Sequence, residues 1–146
     1  MKDIYVNDTG VELADGIERG RKWTHKYVRH PISQELIDDI LSNELKEFHF
    51  PVKPLYNPYM KDYGRTTAAF FPWGELKHIT SIEIGKQGEH DREFLIDTLL
   101  HEYFEVVFFE KKYNDEFFKA LDIAGDAAIH KWIDERINEV FRRKEW

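Results

Sequence analysis

The stretch Arg92-Glu93-Phe94-Leu95-Ile96-Asp97-Thr98-Leu99-Leu100-His101-Glu102-Tyr103-Phe104-Glu105-Val106-Val107-Phe108-Phe109 decides how this chain folds. Phe94, Leu95, Thr98, Leu99, Val106 and Phe109 recur at helical spacing, and Leu100, Phe104 and Phe108 fill the other faces. A helix apolar on most sides belongs in the centre of a domain, because no face is left for water. The pattern predicts a helix from Asp91 to about Lys112, broken by Lys111-Lys112-Tyr113-Asn114-Asp115. Within it sit His101, Glu102 and Glu105, side chains whose burial is costly unless something compensates them.

Outward from this helix the chain reads as α+β: a small antiparallel sheet packed on about three helices. Two strand candidates precede it. Arg65–Phe71 ends at Pro72-Trp73-Gly74, and His78–Ile84 ends at Gly85-Lys86-Gln87-Gly88. Thr66, Thr67, Phe70, Ile79, Ile82 and Ile84 suit strands, and the turn residues between them suit a hairpin. Further upstream, Ser33 is a fitting N-cap for a helix to Glu47, with Leu36, Ile37, Ile40, Leu41 and Leu45 as its apolar stripe. Pro51, Pro54 and Pro58 forbid a long helix over Phe50–Tyr63 and imply an extended loop. Residues 1–30, interrupted by Gly10, Gly16 and Gly20, read as irregular with room for a short strand. Downstream, Glu116–Leu121 reads as a helical turn or two. Gly125-Asp126 then marks a bend before an amphipathic helix from Asp126 to Arg143. Neither repeats nor a Gly/Ser-rich linker divides the chain, so residues 1–146 are expected to form a single domain.

Composition removes several function classes. The 146 residues carry a net charge of −7, against the basic face that nucleic-acid phosphates require. The one compact basic cluster, Arg142-Arg143-Lys144, falls at a helix C-terminus, where cations complement the dipole. Absence of cysteine excludes disulfides, thiol nucleophiles and Cys-ligated zinc, leaving His and carboxylates as metal ligands. The first residues lack the apolar run of a signal peptide, and Val106-Val107-Phe108-Phe109 is too short to span a bilayer. A cytoplasmic protein without a membrane partner is the expectation.

On a helix, positions four apart share a face, so His101 and Glu105 present their heads together, the spacing two ligands need to grip one ion. Glu102 lies a third of a turn round, where a carboxylate can act on a metal-activated water without ligating. A catalytic zinc takes three protein ligands and keeps one position open. His130, at the edge of the apolar face formed by Ile129, Ile133, Ile137, Val140 and Phe141, is the candidate third ligand. His78, His90, Glu116 and Asp122 are its substitutes, while His25, His30 and His49 read as surface or packing residues. Asp97, Asp126 and Asp134 stand four residues from a candidate ligand and could orient an imidazole; solvent-facing positions account for them equally well. Tyr56, Tyr59 and Tyr63 could stabilise an oxyanion or simply cover the core.

Leu99-Leu100-His101-Glu102-x-x-Glu105, after a strand and a polar loop and before Ile129-His130-x-x-Ile133, resembles the active-site helix of the zincin metallopeptidases, in their small bacterial and phage-type forms. The resemblance covers about residues 65–141, with the five-residue core as its sharp part. It implies a zincin-like fold holding zinc (Zn2+) between the central and C-terminal helices. His101, Glu105 and His130 would be ligands, and Glu102 the base activating a zinc-bound water. The implied activity is that of a zinc-dependent hydrolase, a metallopeptidase, on a peptide or protein substrate. Glu105 departs from the usual His-Glu-x-x-His; carboxylate oxygen binds zinc at about the same distance as imidazole nitrogen. Its extra negative charge makes the bound water less acidic. The alternative is therefore a catalytically inactive metal-binding protein with an interaction or regulatory role. Further rivals are a metal-free partner-binding protein and a two-ion site bridged by Glu102 and Glu105.

Overall fold

The structure, a computed structural model, describes residues 4–7, 32–86 and 92–144. They run β1 (Ile4–Asn7), α1 (Gln34–Ser42), β2 (Leu55–Asn57), β3 (Gly64–Phe70), β4 (Leu76–Gly85), α2 (Arg92–Lys111), α3 (Glu116–Ala124) and α4 (Asp126–Lys144). The architecture is α+β, as the pattern of periods predicts.

The expected hairpin is β3–β4, antiparallel from Gly64↔Ile84 to Phe70↔Leu76 with two register irregularities. Its turn closes through Phe71 N–H to Glu75 O and Gly74 N–H to Phe71 O, both 2.8 Å. Gly74 takes φ +102°, a conformation L side chains rarely adopt. The sheet order is β1-β3-β4-β2. β1 pairs antiparallel with β3, from Ile4↔Phe70 to Asn7↔Thr67; the rest of the 1–30 reading lies outside the described residues.

Two expectations are corrected. The sheet is mixed rather than purely antiparallel, because β2 runs parallel to the end of β4, Leu55↔Glu83 to Asn57↔Gly85. This strand lies inside the segment read as a loop, between Pro54 and Pro58. Distant side chains hold it: Gln34 Oε1 accepts from Tyr56 N–H at 2.8 Å, and Asn57 Nδ2 donates to Glu83 at 2.7 Å. Among the described residues the helices number four rather than about three, since Glu116–Ala124 is a full nine-residue helix capped by Asp115, which accepts from Phe117 N–H at 2.9 Å.

Ser33 caps α1 as expected, its Oγ accepting from Leu36 N–H at 3.1 Å. The helix stops at Ser42 rather than Glu47. There the Asn43 side chain competes for the backbone, donating to Asp39 O at 2.8 Å. Leu45 N–H then bonds Ile40 O, one residue wider than α-helical, and this turn still delivers Leu45 to full burial. Arg92, at the start of α2, ties that helix to the same region by pairing with Glu44 and Asp39. Glu44 above all, then Asp39, hold its guanidinium protonated beyond the ordinary arginine range.

α2 falls within a residue of the expected bounds and is buried on nearly every side. Ala68, Phe70, Ile82 and Ile84 of the sheet cover one side of it, and Ile133, Ile137 and Val140 of α4 another, in one continuous core. Each large aliphatic side chain buried here contributes roughly 1.5–3 kcal/mol, which fixes α4 against α2. No helix among the described residues is long and apolar enough to cross a membrane.

Candidate metal centre

His101 and Glu105 lie one turn apart in the middle of α2. Burial of Ile129, Ile133 and Ile137 sets the rotation of α4 and turns His130 toward α2. One donor atom each from His101, Glu105 and His130 lies within 4.8 Å of the other two. His101 Nε2 and Glu105 Oε2 are 3.9 Å apart, and the two imidazole centroids are 5.7 Å apart with their planes inclined at 54°. His101 is 1% exposed and Glu105 8%, whereas His130 is half-buried, so the group opens to solvent on the α4 side.

These residues fit zinc. Two imidazoles and one carboxylate make up a known catalytic ligand set. Ligands about 2.1 Å from a tetrahedral ion lie about 3.4 Å from one another. At 3.9 Å His101 Nε2 and Glu105 Oε2 are beyond hydrogen-bond range of each other, and a shift of about half an ångström would bring these two atoms to that spacing. Three protein ligands would leave a fourth position for water or substrate.

Glu102, on the adjacent face of α2, is not one of the three residues of this group. It is completely buried against β3. Oε1 accepts a hydrogen bond from Thr66 Oγ1 at 3.0 Å. Oε2 lies over Gly64, where an added Cβ would come within 2.8 Å of it. Neither Thr66 nor Gly64 stood out in the sequence as a functional residue. The available signal was the two-residue alternation of small residues Gly64, Thr66 and Ala68 on the buried face of β3.

The substitutes for His130 stay apart: His78, Glu116 and Asp122 are exposed, and none joins the group. His49 is exposed as expected; His25, His30 and His90 fall outside the described residues. Asp97 is buried one turn before His101, Asp126 is exposed and Asp134 half-buried. Tyr59 is 93% exposed, so it does not cover the core. Tyr103, roughly opposite His101 on α2, packs edge-on against Phe48 and Phe50 at 5.0 and 5.4 Å. Burial, then the Glu110 charge, push its hydroxyl above the ordinary tyrosine range. No protein-family model, curated protein or solved structure matches the chain.

Proposed function

We propose that this protein is a zinc-dependent hydrolase, a metallopeptidase, with His101, Glu105 and His130 as ligands and Glu102 as general base. One observation carries the reading: three donors of the right chemistry, drawn from two helices, lie within 4.8 Å of one another. A zinc ion held there would supply Lewis acidity to the scissile carbonyl and to the attacking water. The remaining work belongs to the chain. Glu102 takes a proton from the water as its oxygen bonds to the carbonyl carbon, then returns that proton to the amine as the C–N bond breaks. Zincin-like architecture and a peptide or protein substrate are part of this proposal, and so is a cytoplasmic setting.

The carboxylate at position 105 favours a second reading, a metal-binding protein without turnover, because its charge opposes acidification of the water. One experiment separates the two. Elemental analysis of protein purified without chelator should find one zinc per chain, and Glu102→Gln should keep that zinc while abolishing cleavage of a quenched-fluorescence peptide mixture. Zinc with no activity to lose in the native protein would establish the second reading. Neither zinc in the purified protein nor affinity on titration would end both.

A further inference from the structure

Glu102 has three rotatable side-chain bonds, and a general base must be held close to its productive geometry by its surroundings. Its surroundings come from a different element, the start of β3. Gly64 and Thr66 are alternate residues, so both face α2. Across the hairpin Gly64 pairs with Ile84 and Thr66 with Ile82, both buried, so aliphatic walls flank the carboxylate. The Thr66 hydroxyl, itself completely buried, donates to Oε1 at 3.0 Å. Gly64 makes room for the other oxygen. A Cβ there would lie 2.8 Å from Oε2, 3.0 Å from Cδ and 3.2 Å from Cγ, so the whole end of Glu102 would have to move. Among the described residues the positive-φ glycines are Gly74 and Gly125, so at Gly64 the obstacle to a side chain is the end of Glu102 and not the backbone.

We propose that Thr66 and Gly64 are the positioning pair for Glu102: the threonine hydroxyl fixes one carboxylate oxygen and the glycine leaves space for the other. Neither residue would touch substrate. Both act through Glu102, and the inference rests on the reading of Glu102 as the base beside a zinc site.

The test compares Thr66→Val, Thr66→Ser and Gly64→Ala with the native chain by three readouts: zinc affinity against a chromophoric chelator, binding of acetohydroxamate to the zinc-loaded protein, and cleavage of the peptide mixture. A hydroxamate chelates zinc and shares its proton with a neighbouring carboxylate, so it reports the position of the base without turnover. Zinc affinity should stay within about threefold in all three variants, because no ligand is altered. Thr66→Val and Gly64→Ala should lose about tenfold in hydroxamate affinity and about a hundredfold in kcat at similar KM, the scale of a misplaced catalytic group. Thr66→Ser, which keeps the hydroxyl, should match the native protein. Native hydroxamate binding in Thr66→Val and Gly64→Ala would overturn the inference, as would equal damage from serine and valine, which would mark a packing role. Zinc-loaded native protein that ignores hydroxamate would overturn it too. If Gly64→Ala does not fold, the valine and serine pair decides alone. Failure of the zinc reading shows differently, as absence of zinc from the native protein.

Discussion

Truncating His130 to alanine separates metal binding from folding. His101 is 1% exposed, and removing it would hollow the core; His130 is half-buried at the edge of α4. Its loss should cost the metal-free fold no more than about 1 kcal/mol, as for side chains outside the core. With zinc the two proteins should diverge. Free zinc at about a hundred times Kd stabilises the folded state by about 2.7 kcal/mol. For 146 residues, at about 2.1 cal/mol/K per residue, the unfolding entropy is about 0.31 kcal/mol/K, so Tm should rise about 9 °C. Loss of a ligand should weaken binding at least as much as the roughly hundredfold loss seen when a residue supporting a ligand is removed. The same zinc concentration then equals Kd, leaving about 0.4 kcal/mol and a rise of about 1 °C. Calorimetry of chelator-treated protein, with and without zinc, measures both shifts. Equal shifts in the native chain and His130→Ala would refute His130 as a ligand, and no shift in either would refute the site.

Arg92→Ala removes the pairs to Glu44 and Asp39; with the arginine side chain 37% exposed, the loss in a urea melt should be about 1 kcal/mol and shrink in high salt. A loss well above that, or one indifferent to salt, would mean the clamp is buried more deeply than its exposure indicates. Gly74→Ala should cost about 1–2 kcal/mol through backbone strain alone, since φ is +102° and the nearest atom to the new methyl, on Tyr113, is an ordinary 3.9 Å away; an unchanged urea midpoint would contradict this. Tyr103 has a raised pKa in the fold, so its contribution to stability is fully present below the unfolded value near 10 and is lost as pH rises through the folded value. Tyr103→Phe should therefore flatten the alkaline fall in stability, read as unfolding free energy across about pH 9 to 11; identical slopes would show that another group causes the fall.

What could be read in the sequence follows the range of the interactions. Ser33 caps α1 through an atom three residues away, and the Pro72-Trp73-Gly74 turn closes within five residues, so both were visible locally. The end of α1 was not, because Leu36 to Leu45 keep an apolar stripe through a turn that is no longer helical, and burial alone does not distinguish the two. β2 escaped for the opposite reason. Its three residues carry no period of their own and depend on Gln34 and Glu83, more than twenty residues away in either direction.

The candidate site divides along the same line. His101 and Glu105 share a face by helical geometry alone, and His130 could be placed because α4 has one apolar side, so burying Ile129, Ile133 and Ile137 leaves only one direction for its edge. α2 has no such side. A helix apolar all round has no preferred rotation, so its sequence tells which residues point together but not which neighbour each direction meets. The seat of Glu102 was for that reason invisible: Thr66 lies 36 residues away, on a strand whose register with β4 and whose facing toward α2 are set only when the whole core closes. A carboxylate on a fully buried helix, such as that of Glu105, costs several kcal/mol unless something compensates its charge, and the group it belongs to contains two imidazoles that can share a cation with it. Glu93 and Asp97 are buried on α2 as well, yet of its ionisable residues only His101 and Glu105 join a group in which one ion would offset part of that cost.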